Sequence, residues 1–174
     1  RVASVPAIET VIRDFCHAQG LADDLLLTPL RAGRNSQVFR VEAAQHAWIV
    51  KRYVAPPAGG RDRLACEFNF LRFCNAHSLA GVPHAIAVDD ARYMALYSCL
   101  PGERPRQLSA HHITQAVSFL LRLNALRGDP AAKALPTAAE ACLQWQDHLD
   151  LLARRLDRLQ RVAEPAAGFV QQSL

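Results

Sequence analysis

The chain has 174 residues, 51% hydrophobic and 21% charged, which excludes a disordered chain and supplies enough apolar mass for a core. Its net charge of +4 is too mild to demand a nucleic-acid partner, and no apolar run approaches the ~18–20 residues of a membrane span. Five cysteines (16, 66, 74, 99 and 142) form no C-x-x-C pair and the seven histidines lack metal-ligand spacing, which argues for a reduced, cytoplasmic protein without a disulfide framework or zinc cage.

The first nine residues lack the apolar stretch of a signal peptide, and the chain has no initiator Met, so trimming of a longer product is expected. Residues 8–19 read as a short amphipathic helix closed by Gly20. Three strands follow, at 25–30, 37–41 and 48–54. Short turns at 31–36 and 43–46 make them an antiparallel meander. Pro56-Pro57 breaks the pattern, and helical periodicity runs over 63–77. Two more strands, 84–88 and 92–98, flank Asp89-Asp90-Ala91. The fold class is therefore α+β, with a five-stranded antiparallel sheet and one main helix. Beyond Pro101-Gly102 only helices are predicted. One is capped by Ser109 and runs to Arg127; the next starts from the capping-box spacing Thr137 to Glu140. The latter carries Trp145, Leu149, Leu152, Leu156 and Leu159 on one stripe, which fits packing on its own lobe or a dimer seam.

Four features carry chemistry. Lys51 and Lys133 are the only lysines among 20 Lys and Arg residues, so a lysine inside a strand stands out. Alternation puts Lys51 on one face with Ile49 and Tyr53, where its ammonium needs an anionic partner. Glu67 lies on the apolar stripe of Leu64, Phe68, Leu71 and Cys74, where a carboxylate also needs a partner. The two could pair, or Glu67 could sit at the edge of the stripe while Lys51 snorkels to water. The turn at 31–36 holds Gly33, which either permits close approach to a phosphate or makes an ordinary hairpin. Ser98-Cys99-Leu100-Pro101-Gly102 joins the strand-rich part to the helices; it is a plain loop, or a hinge with backbone groups for a planar ring.

Taken in order, these features resemble the N-terminal lobe of the protein-kinase-like fold. Within it, residues 30–41, 49–53, 67–71, Val82-Pro83, 99–103 and 119–126 are similar to the aminoglycoside phosphotransferase / choline kinase family, a resemblance covering about residues 25–127. It implies a nucleotide-binding lobe over 1–98, a hinge at 99–105, and the helical start of a second lobe at 106–174. It implies an ATP-dependent transfer of phosphate to a hydroxyl of a small molecule, with Mg²⁺ as the companion ion. Lys51, held by Glu67, would contact the α- and β-phosphates. Gly33, Arg34, Asn35 and Ser36 would cover the phosphates. Val38 and Ile49 would wall the adenine pocket, and Ser98, Cys99 and Leu100, preceded by Tyr97, would meet the adenine edge.

The sequence departs from the family in places. Ala32 stands where a second Gly is common, and Asn124 where His is common. The His-Gly-Asp loop with its downstream Asn and further Asp is missing. His148-Leu149-Asp150 copies its spacing inside a helical pattern, but Arg155 follows where Asn is needed. The expectation is a segment that stops before its catalytic loop and Mg²⁺ ligands, inactive alone, with exposed leucines that favour dimerisation. Two other readings are a non-catalytic nucleotide-binding or regulatory module, and a basic binder through Arg154, Arg155, Arg158 and Arg161. Asp150 and Asp157 interrupt that arginine cluster, so a solvated helix face fits better.

Overall fold

The computed structural model describes residues 5–30, 36–57, 60–103, 105–138, 142 and 144–171. The chain divides into two compact units, Arg1–Pro136 and Thr137–Leu174. The first holds α1 (Val5–Ala18), β1 (Leu26–Pro29), β2 (Ser36–Ala43), β3 (His46–Tyr53), α2 (Arg63–Ala76), β4 (Ala85–Asp89), β5 (Met94–Ser98), α3 (Ala110–Ala125), a 3-10 turn (Leu126–Gly128) and the single turn α4 (Pro130–Lys133). The architecture is α+β. The five strands form one antiparallel sheet in the order β1-β2-β3-β5-β4, so β5 lies between β3 and its own hairpin partner.

Period-two alternation gives this sheet two apolar faces. Phe39, Val41, Val50, Met94 and Leu96 point to one face and pack with Ile8, Ile12, Phe15 and Cys16 of α1. Tyr53, Ala95 and Tyr97 point to the other and pack with Leu64, Phe68 and Leu71 of α2. Burial pushes the Cys16 thiol up to about 11, so this cysteine behaves as a small apolar side chain.

Asp62 caps α2 by accepting from the Ala65 N–H at 2.9 Å. At the other end Asn75 ties the helix to the approach of β4. Its Nδ2 donates to the Pro83 carbonyl at 3.1 Å, and its Oδ1 accepts from the Ala85 N–H at 3.0 Å. Asn75→Ala strands both backbone groups and is expected to lower unfolding free energy by about 1–2 kcal/mol, with Asn75→Asp, which keeps only the acceptor, in between. Urea denaturation of the two variants checks this order.

The end of α2 also anchors the first helices beyond the sheet. Phe73, Cys74 and Leu79 pack with Phe119, Leu123, Leu126, Ala132 and Leu135. Asp129 caps α4 through the Ala131 N–H at 2.7 Å, and its other carboxylate oxygen lies 3.4 Å from His77 Nε2.

In the second unit, α5 spans Trp145–Gln171, so the helix expected from Thr137 starts later. Asp147 accepts from the Gln144 N–H at 2.9 Å, a side chain in the third helical position reaching back to the cap. That contact serves an N–H left unsatisfied by the first turn and fixes the start there. The expected box partner Glu140 lies outside the described residues. Trp145, Leu149, Leu152, Leu156 and Leu159 are exposed. Among the described residues, no helix is long and apolar enough to cross a membrane.

Candidate functional site

The strand register assembles the site. Val38 of β2 lies opposite Lys51 of β3, Lys51 opposite Ala95 of β5, and Ile49 opposite Tyr97. Alternation therefore places Val38, Ile49, Lys51, Tyr53, Ala95 and Tyr97 on the face that α2 covers. Helical periodicity turns Glu67 of α2 toward the same face, among Leu64, Phe68 and Leu71.

Lys51 Nζ donates to Glu67 Oε2 at 2.6 Å. Of the two arrangements open to these residues, the ion pair is the one adopted. Each charge offsets the desolvation of the other on a half-covered apolar face. The Lys51 side chain keeps 23% of its exposure, so a ligand can still reach it. Its ammonium also sits 4.8 Å from the centroid of the Tyr53 ring, within cation–π range.

Tyr53 is a residue that sequence reasoning did not place in the site. Its hydroxyl lies 2.9 Å from that of Tyr97. Burial, the partner hydroxyl and the nearby Glu67 carboxylate push the Tyr53 phenol far above the ordinary range. Burial raises Tyr97 in the same direction. The available signal was the two-residue step from Lys51 to Tyr53.

At the linker after β5, several groups are already engaged. The Ser98 N–H donates to the His84 carbonyl at 3.0 Å, and its Oγ accepts from the His84 N–H at 2.8 Å. The Cys99 N–H donates to the Ala47 carbonyl at 3.3 Å. Arg40, opposite Ile49, braces the linker: one guanidinium nitrogen bonds Glu42 at 2.9 Å and the other contacts Cys99 Sγ at 3.6 Å. Leu100 is exposed.

Ser36 opens β2, half-buried and opposite Tyr53. Gly33, Arg34 and Asn35, the remainder of the expected phosphate loop, lie outside the described residues. His148 and Asp150 are exposed on α5, where Asp150 accepts from Gln146 Nε2 at 2.9 Å, as solvated helix side chains do. Among the described residues, no three His, Cys, Asp or Glu side chains cluster as a metal site.

The arrangement is a cation fixed by a carboxylate, on a sheet face bordered by aliphatic side chains, beside a strand-like linker. Such a site can hold an anionic group at Lys51 and a flat ring against Val38 and Ile49. The family model described as "Phosphotransferase enzyme family" matches residues 26–172. No curated protein matches the chain.

Proposed function

The chain belongs to the phosphotransferase enzyme family, and from that premise we propose that the face beneath α2 binds ATP for phosphate transfer to a hydroxyl of a small molecule. The Lys51–Glu67 pair at 2.6 Å carries this reading. A fixed ammonium matches the charge of a polyphosphate, and holding it in advance removes the cost of ordering a flexible lysine when the ligand arrives. Val38 and Ile49 supply apolar walls for a nucleobase. With the Ser98 and Cys99 N–H groups engaged, the Leu100 N–H is the backbone donor offered to the base edge. Ser36 stands where the chain enters from the turn assigned to the phosphates. ATP supplies the phosphoryl group; Lys51 orients it by its α- and β-phosphates and spreads its charge. Mg²⁺ belongs to this reading as the companion of the nucleotide.

The test is calorimetric titration of the intact chain with ATP. Binding is expected, and Glu67→Gln is expected to weaken it roughly tenfold, because a neutral amide holds the ammonium less firmly than a carboxylate. No binding by the parent chain would overturn the reading. Binding that is never accompanied by phosphate transfer to any small alcohol would favour a nucleotide-binding module instead.

A further inference from the structure

Glu67 is one hold on the Lys51 ammonium; the other is an aromatic face. Lys51 Nζ lies over the Tyr53 ring, 4.8 Å from its centroid. The ring is itself fixed. Tyr53 is 5% exposed, in the cluster of Leu64, Phe68, Leu71 and Ala95. Its hydroxyl meets that of Tyr97 at 2.9 Å, and its backbone N–H donates to the Tyr93 carbonyl at 2.8 Å. A ring anchored at both ends presents its face to the ammonium before any ligand arrives.

An aromatic face differs from a second carboxylate in what it leaves to a ligand. A carboxylate would take up a further N–H of the ammonium and cancel its charge. A ring attracts the cation through its quadrupole and brings no net charge to repel a phosphate. An ammonium has three N–H donors. One goes to Glu67, and Tyr53 adds no second carboxylate to compete for the others. Tyr53 also lies opposite Ser36, where the chain enters from the turn assigned to the phosphates.

We propose that Tyr53 is a positioning residue for Lys51, whose ring seats the ammonium toward the phosphates while leaving its charge available. The proposal rests on the nucleotide-binding role given to Lys51.

Fluorination grades the ring, because it weakens the negative face while nearly keeping size and shape. The background is Tyr97→Phe, which leaves no orphaned hydroxyl beside position 53. Phenylalanine and its mono-, di- and trifluorinated forms are placed at 53, and ATP affinity is measured by calorimetry. Affinity is expected within about threefold of the parent with phenylalanine, falling stepwise with fluorine to about fivefold weaker by the third. Tyr53→Leu in the same background is expected to bind at least as weakly as the trifluorinated form. A ring that only fills the core gives no such gradient. Affinity that is flat across the series, or as low with phenylalanine as with leucine, overturns the proposal. Where the leucine chain does not fold, the fluorine series decides.

A second readout needs no nucleotide. Lys51 and Lys133 are the only lysines, so ¹³C-lysine labelling gives two ε-methylene signals, assigned with Lys133→Arg. The ring is expected to shift the Lys51 signal upfield in the parent and with phenylalanine at 53, and leucine there is expected to abolish the shift. If the parent binds no ATP, the role given to Lys51 fails and this signal alone decides. An upfield shift that leucine abolishes supports the seat; no shift in the parent, or one that leucine leaves in place, overturns it.

Discussion

Lys51→Ala is expected to lower ATP affinity at least about a hundredfold, the largest functional effect of any single change in this chain. Two losses combine. The charge-assisted contacts to the phosphates disappear, at about 1.5–3 kcal/mol each. Glu67 then faces an anionic ligand without a counter-charge, so the site becomes repulsive as well as incomplete. Lys51→Met separates charge from packing: it keeps an unbranched stem beside Tyr53 and is expected to bind as weakly as the alanine variant. Stability is expected to change little, because Lys51 and Glu67 both remain partly solvated and exposed pairs contribute modestly. A melting temperature within a few degrees of the parent, alongside the lost affinity, is the combination that assigns the effect to binding. Affinity within about threefold of the parent in both variants would remove Lys51 from the site.

Much of this site was legible because it is written in local periods. The two-residue period placed Lys51 with Ile49 and Tyr53, and the helical period placed Glu67 with Leu64, Phe68 and Leu71. A charge on each apolar face then made the pair one of two arrangements open to these residues, without any knowledge of how the strands are ordered, and the structure adopts the pair. The five strands were legible for the same reason, bounded by turn residues and by Pro56-Pro57. What escaped was set by pairing between distant segments. Tyr53 and Tyr97 are 44 residues apart, and their hydroxyls meet only because β5 aligns Tyr97 with Ile49 and Ala95 with Lys51. A shift of that register by one residue would turn Tyr97 to the α1 face. The engagement of the Ser98 and Cys99 N–H groups likewise depends on His84 and Ala47, which no local pattern connects to the linker. The start of α5 failed for a different reason. Thr137 and Glu140 match a capping box by residue type, but Asp147 supplies the contact from a position whose cap, Gln144, is not a favoured one.

The second large effect concerns α1, which precedes the sheet in the chain yet supplies Ile8, Ile12, Phe15 and Cys16 to the core on one of its faces. Ile12 is fully buried and packs with Phe39, Val41, Val50, Met94 and Leu96 across three strands. Ile12→Ala removes three carbons from a site framed by a rigid sheet, which cannot collapse onto the gap as a loop could. The expected cost is about 2–5 kcal/mol, seen as a melting temperature lower by roughly 10 °C. Val11, on the margin of the same cluster and partly exposed, gives the internal comparison: Val11→Ala is expected to cost under about 1.5 kcal/mol. The faces of the sheet also respond separately. Ile12 touches the face opposite Lys51, so below its lowered melting temperature the Ile12→Ala protein is expected to bind ATP within about threefold of the parent. Equal destabilisation by the two substitutions would mean that α1 is only loosely laid on the sheet. A large loss of affinity in a still-folded Ile12→Ala protein would instead mean that the packing of α1 sets the geometry of β3, and with it the reach of Lys51.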